Sequence, residues 1–335
     1  MSIHDTNKQH FAPLRAALYD VDAANLRRVL AGAFAPDATI DLCAPFETLS
    51  GPEELFETVY APLLHAMPDM ERRDFIFMAG PRWGHGKSGN WIGLGGNIVG
   101  RFDAPWLGIP PTGRPVFMRY HEYYRIKDGK VVEMSGLWDI PQLMVQAGAW
   151  PFAPQAGVEW MCPGPADGRG IKVGPHEINA GNASVQLVWD MLHNLQRGTA
   201  ETPLGETAGY WHPKCLWYGP TGIGTGRRPQ GFQDVVLKGF RTGLSDNTRF
   251  LDNGVFFGEG DLVAFTGWPS GEATHSGDGF LGLAPTGKRF TRRSLDFWRC
   301  ENGVIRENWV LVDLPHVYQQ LGVDVFGRMR DYISR

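Results

Sequence analysis

GIPPTGRPVFMRYHEYYRIKDGKVVEMSGLWDIPQLMVQAG at residues 108–148 and GLAPTGKRFTRRSLDFWRCENGVIRENWVLVDLPHVYQQLG at residues 282–322 are one segment written twice. They align without a gap at a constant offset of 174 residues. Pro111/Pro285, Thr112/Thr286, Gly113/Gly287, Gly129/Gly303, Glu133/Glu307, Asp139/Asp313 and Gly148/Gly322 are identical pairs. A period this long belongs to a whole domain, because solenoid units run to about 20–50 residues. A chain of 335 residues accommodates two such domains.

The same order of elements extends outward from each copy. Helical periodicity comes first: Leu14, Leu18 and Val21, then Leu26, Val29 and Leu30, matched in the second half by Val185, Val188, Met191, Leu192 and Leu195. A third helix follows, over Leu55, Val59 and Leu63 in one half and Phe232, Val235, Val236 and Phe240 in the other. Ser50 and Glu53 have capping-box spacing at its start. Long strands come next, joined by Asp128-Gly129 and Asn302-Gly303, dipeptides that suit two-residue hairpin turns. Helices followed by antiparallel strands indicate an α+β class. The Pro/Gly-rich stretch 151–182 reads as a linker packed along a surface. The predicted division is therefore a first domain over 10–150, the linker 151–182, and a second domain over 183–335.

Composition narrows the function. A hydrophobic content of 43% with 20% charged residues is that of an ordinary globular protein. The net charge of -4, with scattered basic residues, argues against a nucleic-acid partner. Cys43, Cys162, Cys215 and Cys300 lie far apart, which argues against a zinc knuckle or disulfide framework and fits a cytoplasmic location. The polar N-terminus and the lack of a long apolar run predict no signal peptide and no membrane span. No metal-ligand motif, nucleophile elbow or phosphate loop is present, so no metal and no cofactor are expected. The Gly-rich run 219–226 reads as a loop over a pocket.

The strand after each PTG turn carries the candidate chemistry. In the first copy Val116, Met118, Tyr120, Glu122, Tyr124 and Ile126 share a face. In the second the face is Phe290, Arg292, Ser294, Asp296, Trp298 and Cys300. Glu122 and Asp296 thus lie among apolar and aromatic side chains, where desolvation raises a carboxyl pKa and suits it to proton transfer. Counting back from a two-residue turn sets Asp296 opposite Trp309 and Glu122 opposite Ser135. A carboxylate in a sheet is more often an ion-pair partner, and Arg119 or Arg293 could serve, but both point to the other face in this register. His275, specific to the second copy, is a candidate acid/base or hydrogen-bond donor. His85, His193, His212 and His316 have no comparable context.

The second copy resembles the SnoaL-like polyketide cyclase branch of the NTF2-like superfamily. The resemblance rests on Thr274-His275, Pro285-Thr286-Gly287-Lys288, Asp296, Arg299, Gly303, Glu307, Trp309, Asp313 and Gln319-Gln320-Leu321-Gly322. The first copy is similar but more divergent. The resemblance implies two cone-shaped α+β domains, each with N-terminal helices packed on a curved antiparallel sheet around an apolar pocket. It also implies a cofactor-independent cyclase, isomerase or lyase in which Asp296 is the general acid/base, with His275 assisting. Glu122 would run a second site, or its domain would be mainly structural. The expected substrate is a small apolar or aromatic carbonyl compound bound by Trp298, Trp309, Trp217, Tyr218, Tyr120 and Tyr124. The two domains would form an internal pseudo-dimer, with a homodimer as a further option. The alternatives are an NTF2-like hydrolase that activates water and a non-catalytic small-molecule binder.

Overall fold

The computed structural model describes residues 2–84, 88–197, 205–278 and 280–334. Helix α1 (Ile3–Tyr19) opens on a capping box: Ser2 Oγ accepts from the Asp5 amide, and the Asp5 carboxylate accepts from the Ser2 amide. Asp22 caps helix α2 (Ala23–Ala33) by accepting from the Asn25 amide at 2.7 Å. Leu14, Leu18, Leu26 and Leu30 are buried, as their spacing predicts. Strands β1 (Phe34–Leu42) and β2 (Thr48–Ser50) follow. Helices α3 (Gly51–Leu55) and α4 (Ala61–Ala66) are joined by a π-helical turn. Then come β3 (Glu71–Pro81), β4 (Asn90–Arg101), β5 (Pro115–Lys127), β6 (Lys130–Trp138) and helix α5 (Ile140–Gln146). The strands form one sheet in the order β2-β1-β6-β5-β4-β3.

The second unit repeats this plan. Helix α6 (Ile178–Gln196) buries Val185, Val188, Met191, Leu192 and Leu195. Strands β7 (Trp211–Tyr218) and β8 (Gly226–Arg227) precede helices α7 (Arg228–Phe232) and α8 (Lys238–Gly243), again with a π-helical turn between them. Strands β9 (Thr248–Arg249), β10 (Val255–Glu259), β11 (Leu262–Thr274), β12 (Arg289–Glu301) and β13 (Val304–Val312) follow. Helix α9 (Leu314–Gln320) closes the repeat, and α10 (Val325–Ile333) follows it. The sheet order is β10-β11-β12-β13-β7-β8, with β9 paired to β11.

Both units are α+β, as the order of elements predicts, but neither sheet is purely antiparallel. The strand after the first helices runs parallel to the last: β1 with β6, and β7 with β13. The chain divides into Met1–Pro151, Met161–His176 and Val325–Arg335 as one unit, and Phe152–Trp160 and Glu177–Asp324 as the other. The stretch read as a linker is therefore shared between the units, and helix α10 goes with the first. Each part of that stretch finds backbone partners in its own unit, as segments packed on a protein require. Val158 bridges to Thr225. Ile171 bridges to Phe77, with Phe77 N donating to Gly170 O at 2.9 Å and Lys172 N to Phe77 O at 2.8 Å.

The hairpins decide where the candidate carboxylates point. Asn302 and Gly303 both have positive φ, and Glu301 pairs with Val304, so the turn is the expected two-residue one. Beyond it, Cys300 pairs with Ile305 but Arg299 with Glu307, which leaves Arg306 as the extra residue of a β-bulge. The first unit has the same device: Ile126 pairs with Val131 but Arg125 with Glu133. The bulge shifts the register by one. Asp296 is opposite Val310, not Trp309, and Glu122 is opposite Gly136, not Ser135.

Residues shared by the two copies make the same contacts in each. Arg119 and Arg293, on the face away from the candidate carboxylates, approach Asp139 at 3.6 Å and Asp313 at 3.4 Å. Arg125 pairs with Glu133 at 2.7 Å and Arg299 with Glu307 at 2.6 Å. Gln146 exchanges two hydrogen bonds with the Phe117 backbone, and Gln320 does so with Thr291. These clips tie the end of each hairpin and the following helix to the central strand.

Candidate functional site

Asp296 sits at the centre of β12, 3% exposed, on the floor of a cavity in the second unit. The cavity encloses about 610 Å³ of empty space, its mouth included. Strand alternation supplies much of its floor: Arg292, Ser294, Asp296 and Trp298 all line it. Helix α6 contributes Met191, Leu192 and Leu195. Strand β7 contributes Trp211 and Trp217, and the Gly-rich loop contributes Ile223. The helical stretch around α7 and α8 adds Phe232, Val236 and Phe240. Asn308, Val310 and Val312 of β13 complete the wall beside Asp296.

Burial raises the Asp296 carboxyl to about 7, and the positive charge of Arg249 opposes that shift. A carboxyl group at this value is partly ionised at neutral pH, so it can both take up and return a proton. Arg249 also lines the cavity, and burial lowers its pKa while Asp296 acts the other way. Burial, helped by the neighbouring Arg249, brings Arg292 down to about 9.

Glu122 has the same place in the repeat and a different environment. It is fully buried, and its Oε2 lies 2.7 Å from Nη2 of Arg72. Trp138 Nε1 donates to its Oε1 at 2.7 Å, and the Tyr124 hydroxyl donates to its Oε2. The Arg72 guanidinium in turn lies over the Tyr120 ring, 3.7 Å from its centroid. The alignment at 174 residues explains the contrast. Where the first unit has Tyr120 and Trp138, the second has Ser294 and Val312, both lining the cavity. The second copy thus has small side chains where the first has buried aromatic rings.

His275 lies apart from Asp296. Thr274, its neighbour, pairs with Arg289, seven residues before Asp296 on the same strand. At about 3.3 Å per residue that is roughly 23 Å. His275 is buried beside Phe280, and its Nδ1 is 3.2 Å from Thr286 Oγ1. Burial lowers its pKa. The pair it was expected to form with Asp296 does not exist.

Family comparison agrees with the repeat. The profile of the SnoaL-like polyketide cyclases matches residues 87–147 and 199–321, more than half of the chain and one region in each half. The chain belongs to the SnoaL-like polyketide cyclase family. Among solved structures it is similar to AclR, a putative hydroxylase from Streptomyces galilaeus, at 21% identity over 44% of this chain and 85% of that one, with a TM-score of 0.36. It is also similar to IdmH, a putative polyketide cyclase from Streptomyces antibioticus, at 22% identity over 42% of this chain and 98% of that one, with a TM-score of 0.35. A putative SnoaL-like polyketide cyclase from Jannaschia sp. CCS1 matches at 20% identity over 43% of this chain and 93% of that one, with a TM-score of 0.36. No curated protein matches the chain.

In this SnoaL-like chain the proposed binding residues fall into three groups. Trp217 and Trp298 line the cavity with Asp296. Tyr218 and Trp309 do not line it; Trp309 pairs with Phe297, not Asp296, and the two rings stack at 5.3 Å. Tyr120 and Tyr124 are buried in the first unit. Sequence reasoning set Arg292 on the right face without giving it a role, and it missed Arg249. His85 lies outside the described residues. Among the described residues no group of three or more His, Cys, Asp or Glu side chains converges as a metal site, and no helix is long and apolar enough to cross a membrane.

Proposed function

We propose a cyclase- or isomerase-type function, which family membership supports. We propose more narrowly that the second unit catalyses proton transfer at a carbon beside a carbonyl group. Asp296 is the general base and returns the proton as general acid. The observation that carries this reading is a carboxyl group raised to about 7 by burial, set in an apolar, Trp-lined cavity. Removing a proton next to a carbonyl creates an enolate, and the enolate either attacks a second carbonyl, which closes a ring, or is reprotonated elsewhere, which isomerises the substrate. Glu122 is assigned a structural role, because Arg72, Trp138 and Tyr124 already hold its carboxylate.

The test is hydrogen–deuterium exchange at the α-carbon of aryl-substituted cyclic ketones and 1,3-diketones in D2O, followed by NMR. The intact protein accelerates exchange, and Asp296→Asn slows it by about 10²–10⁴-fold, the usual contribution of a positioned base. Undiminished exchange in Asp296→Asn would remove the aspartate from the reaction.

A further inference from the structure

Asp296 shares its cavity with two arginines, and their placement follows from the sheet. Gly271 of β11 pairs with Arg249 on one side and with Arg292 on the other. The three residues form a row across β9, β11 and β12, which places the arginine Cα atoms about 10 Å apart. Cross-strand neighbours point to the same face, and both arginines line the cavity. The central position must be glycine, since a Cβ there would lie 2.5 Å from Nη2 of Arg292 and 2.3 Å from Thr248 O. Arg292 is held in place: it donates to Asn247 Oδ1 and, at 3.1 Å, to Thr248 O.

A third guanidinium stands close by. Arg241 of α8 donates to Leu195 O, and it lines, with Arg249 and Asn247, a smaller recess. That recess shares Leu195, Val236, Phe240 and Arg249 with the main cavity. The charge of Arg249 acts on Arg241, Arg292 and Asp296 alike. Elsewhere in the chain buried arginines have carboxylates: Arg72 has Glu122, Arg119 has Asp139 and Arg299 has Glu307. Among the described residues, no carboxylate lies within 4.0 Å of Arg241, Arg249 or Arg292. Two guanidiniums and one carboxylate line the cavity, so its lining is short of negative charge.

We propose that Arg249 and Arg292 bind an anionic oxygen group of the substrate, so that the carbonyl compound handled by Asp296 is an apolar or aromatic acid carrying a carboxylate. This inference rests on the proton-transfer reading for its catalytic meaning, though the binding subsite stands on its own geometry. The carboxylate sits at the arginine end of the cavity and the apolar body lies against Trp217 and Trp298. This orients the substrate along β12, with its reacting carbon at Asp296.

Binding of 2-naphthoate and of neutral 2-naphthamide tests the proposal, read by quenching of tryptophan fluorescence and by calorimetry. The acid binds at least about tenfold more tightly than the amide, in keeping with the strength of charge-assisted guanidinium pairs. Arg249→Met and Arg292→Met each remove most of that preference, while binding of the amide persists and shows that the variants are folded. Arg249→Lys retains part of it. Asp296→Asn keeps or strengthens acid binding while it loses exchange activity. Equal affinity for acid and amide, failure of the acid to bind at millimolar concentration, or an unchanged preference in Arg249→Met would overturn the subsite. Exchange dependent on Asp296 but without acid preference would leave the catalytic reading standing and remove this one. Acid preference without exchange would do the reverse.

Discussion

Burial leaves the carboxyl of Asp296 raised to about 7, while Glu122 at the equivalent position faces the Arg72 guanidinium. Their stability effects should have opposite signs. A carboxyl whose folded pKa is raised stabilises the fold below its unfolded value, near pH 4, and loses that contribution as pH rises through about 7. Above pH 7 the ionised, buried aspartate costs roughly 2–4 kcal/mol. Asp296→Asn should therefore raise the melting temperature at pH 8 and change it little at pH 4. Glu122→Gln should lower stability by about 3–5 kcal/mol near neutral pH, because it strands the buried charge of Arg72. Urea unfolding of both variants at the two pH values checks this, and a destabilised Asp296→Asn at pH 8 would contradict it. The face alternation of 290–300 made Asp296 readable from sequence alone. The partners of Glu122 were not readable, since Arg72 lies on β3, fifty residues earlier in the chain.

At the scale of the elements, turn chemistry and periodicity carried the reading furthest. Asn302-Gly303 and Asp128-Gly129 specify their hairpins through positive φ at both positions, and the structure has them. The bulges after them leave no such mark. Arg306 and the equivalent Val132 are ordinary strand residues, and tertiary pairing makes each the extra one. Sequence counting therefore set Trp309 beside Asp296, when it belongs to the opposite face. Likewise Arg249 ends the two-residue β9, and β10 begins only at Val255. Pairing of β9 with β11 sets Arg249 on the cavity face, and nothing local encodes it. Gly271 holds the row together. Gly271→Ala should cost about 1–3 kcal/mol by overpacking and should reduce the preference for 2-naphthoate over 2-naphthamide. Calorimetric unfolding and the two-probe titration would show both effects, and a variant with unchanged stability and preference would mean that the close approach is not essential.

For the molecule as a whole, the two copies share a frame and differ in their interiors. The residues they share, Arg119/Arg293, Glu133/Glu307, Asp139/Asp313 and Gln146/Gln320, hold the hairpin and its following helix in each unit. The residues that differ include those of the interior. Tyr120 and Trp138 are buried in the first unit, whereas Ser294 and Val312 line a cavity in the second. Such a division cannot be read from either copy alone, because Tyr, Trp, Ser and Val all fit the alternating pattern of a strand. It predicts a single class of binding site, so 2-naphthoate should saturate at one molecule per chain. It also predicts that the open copy can be closed by giving it the residues of the filled one. Ser294→Tyr with Val312→Trp places two large rings where the cavity now lies beside Asp296. The double variant should lose naphthoate binding and α-carbon exchange while circular dichroism and cooperative unfolding persist. Glu122→Gln, by contrast, should bind the probe as the parent does at temperatures where it remains folded. Two bound molecules per chain would contradict the single site, and binding lost in Glu122→Gln but retained in the double variant would place the working site in the first unit.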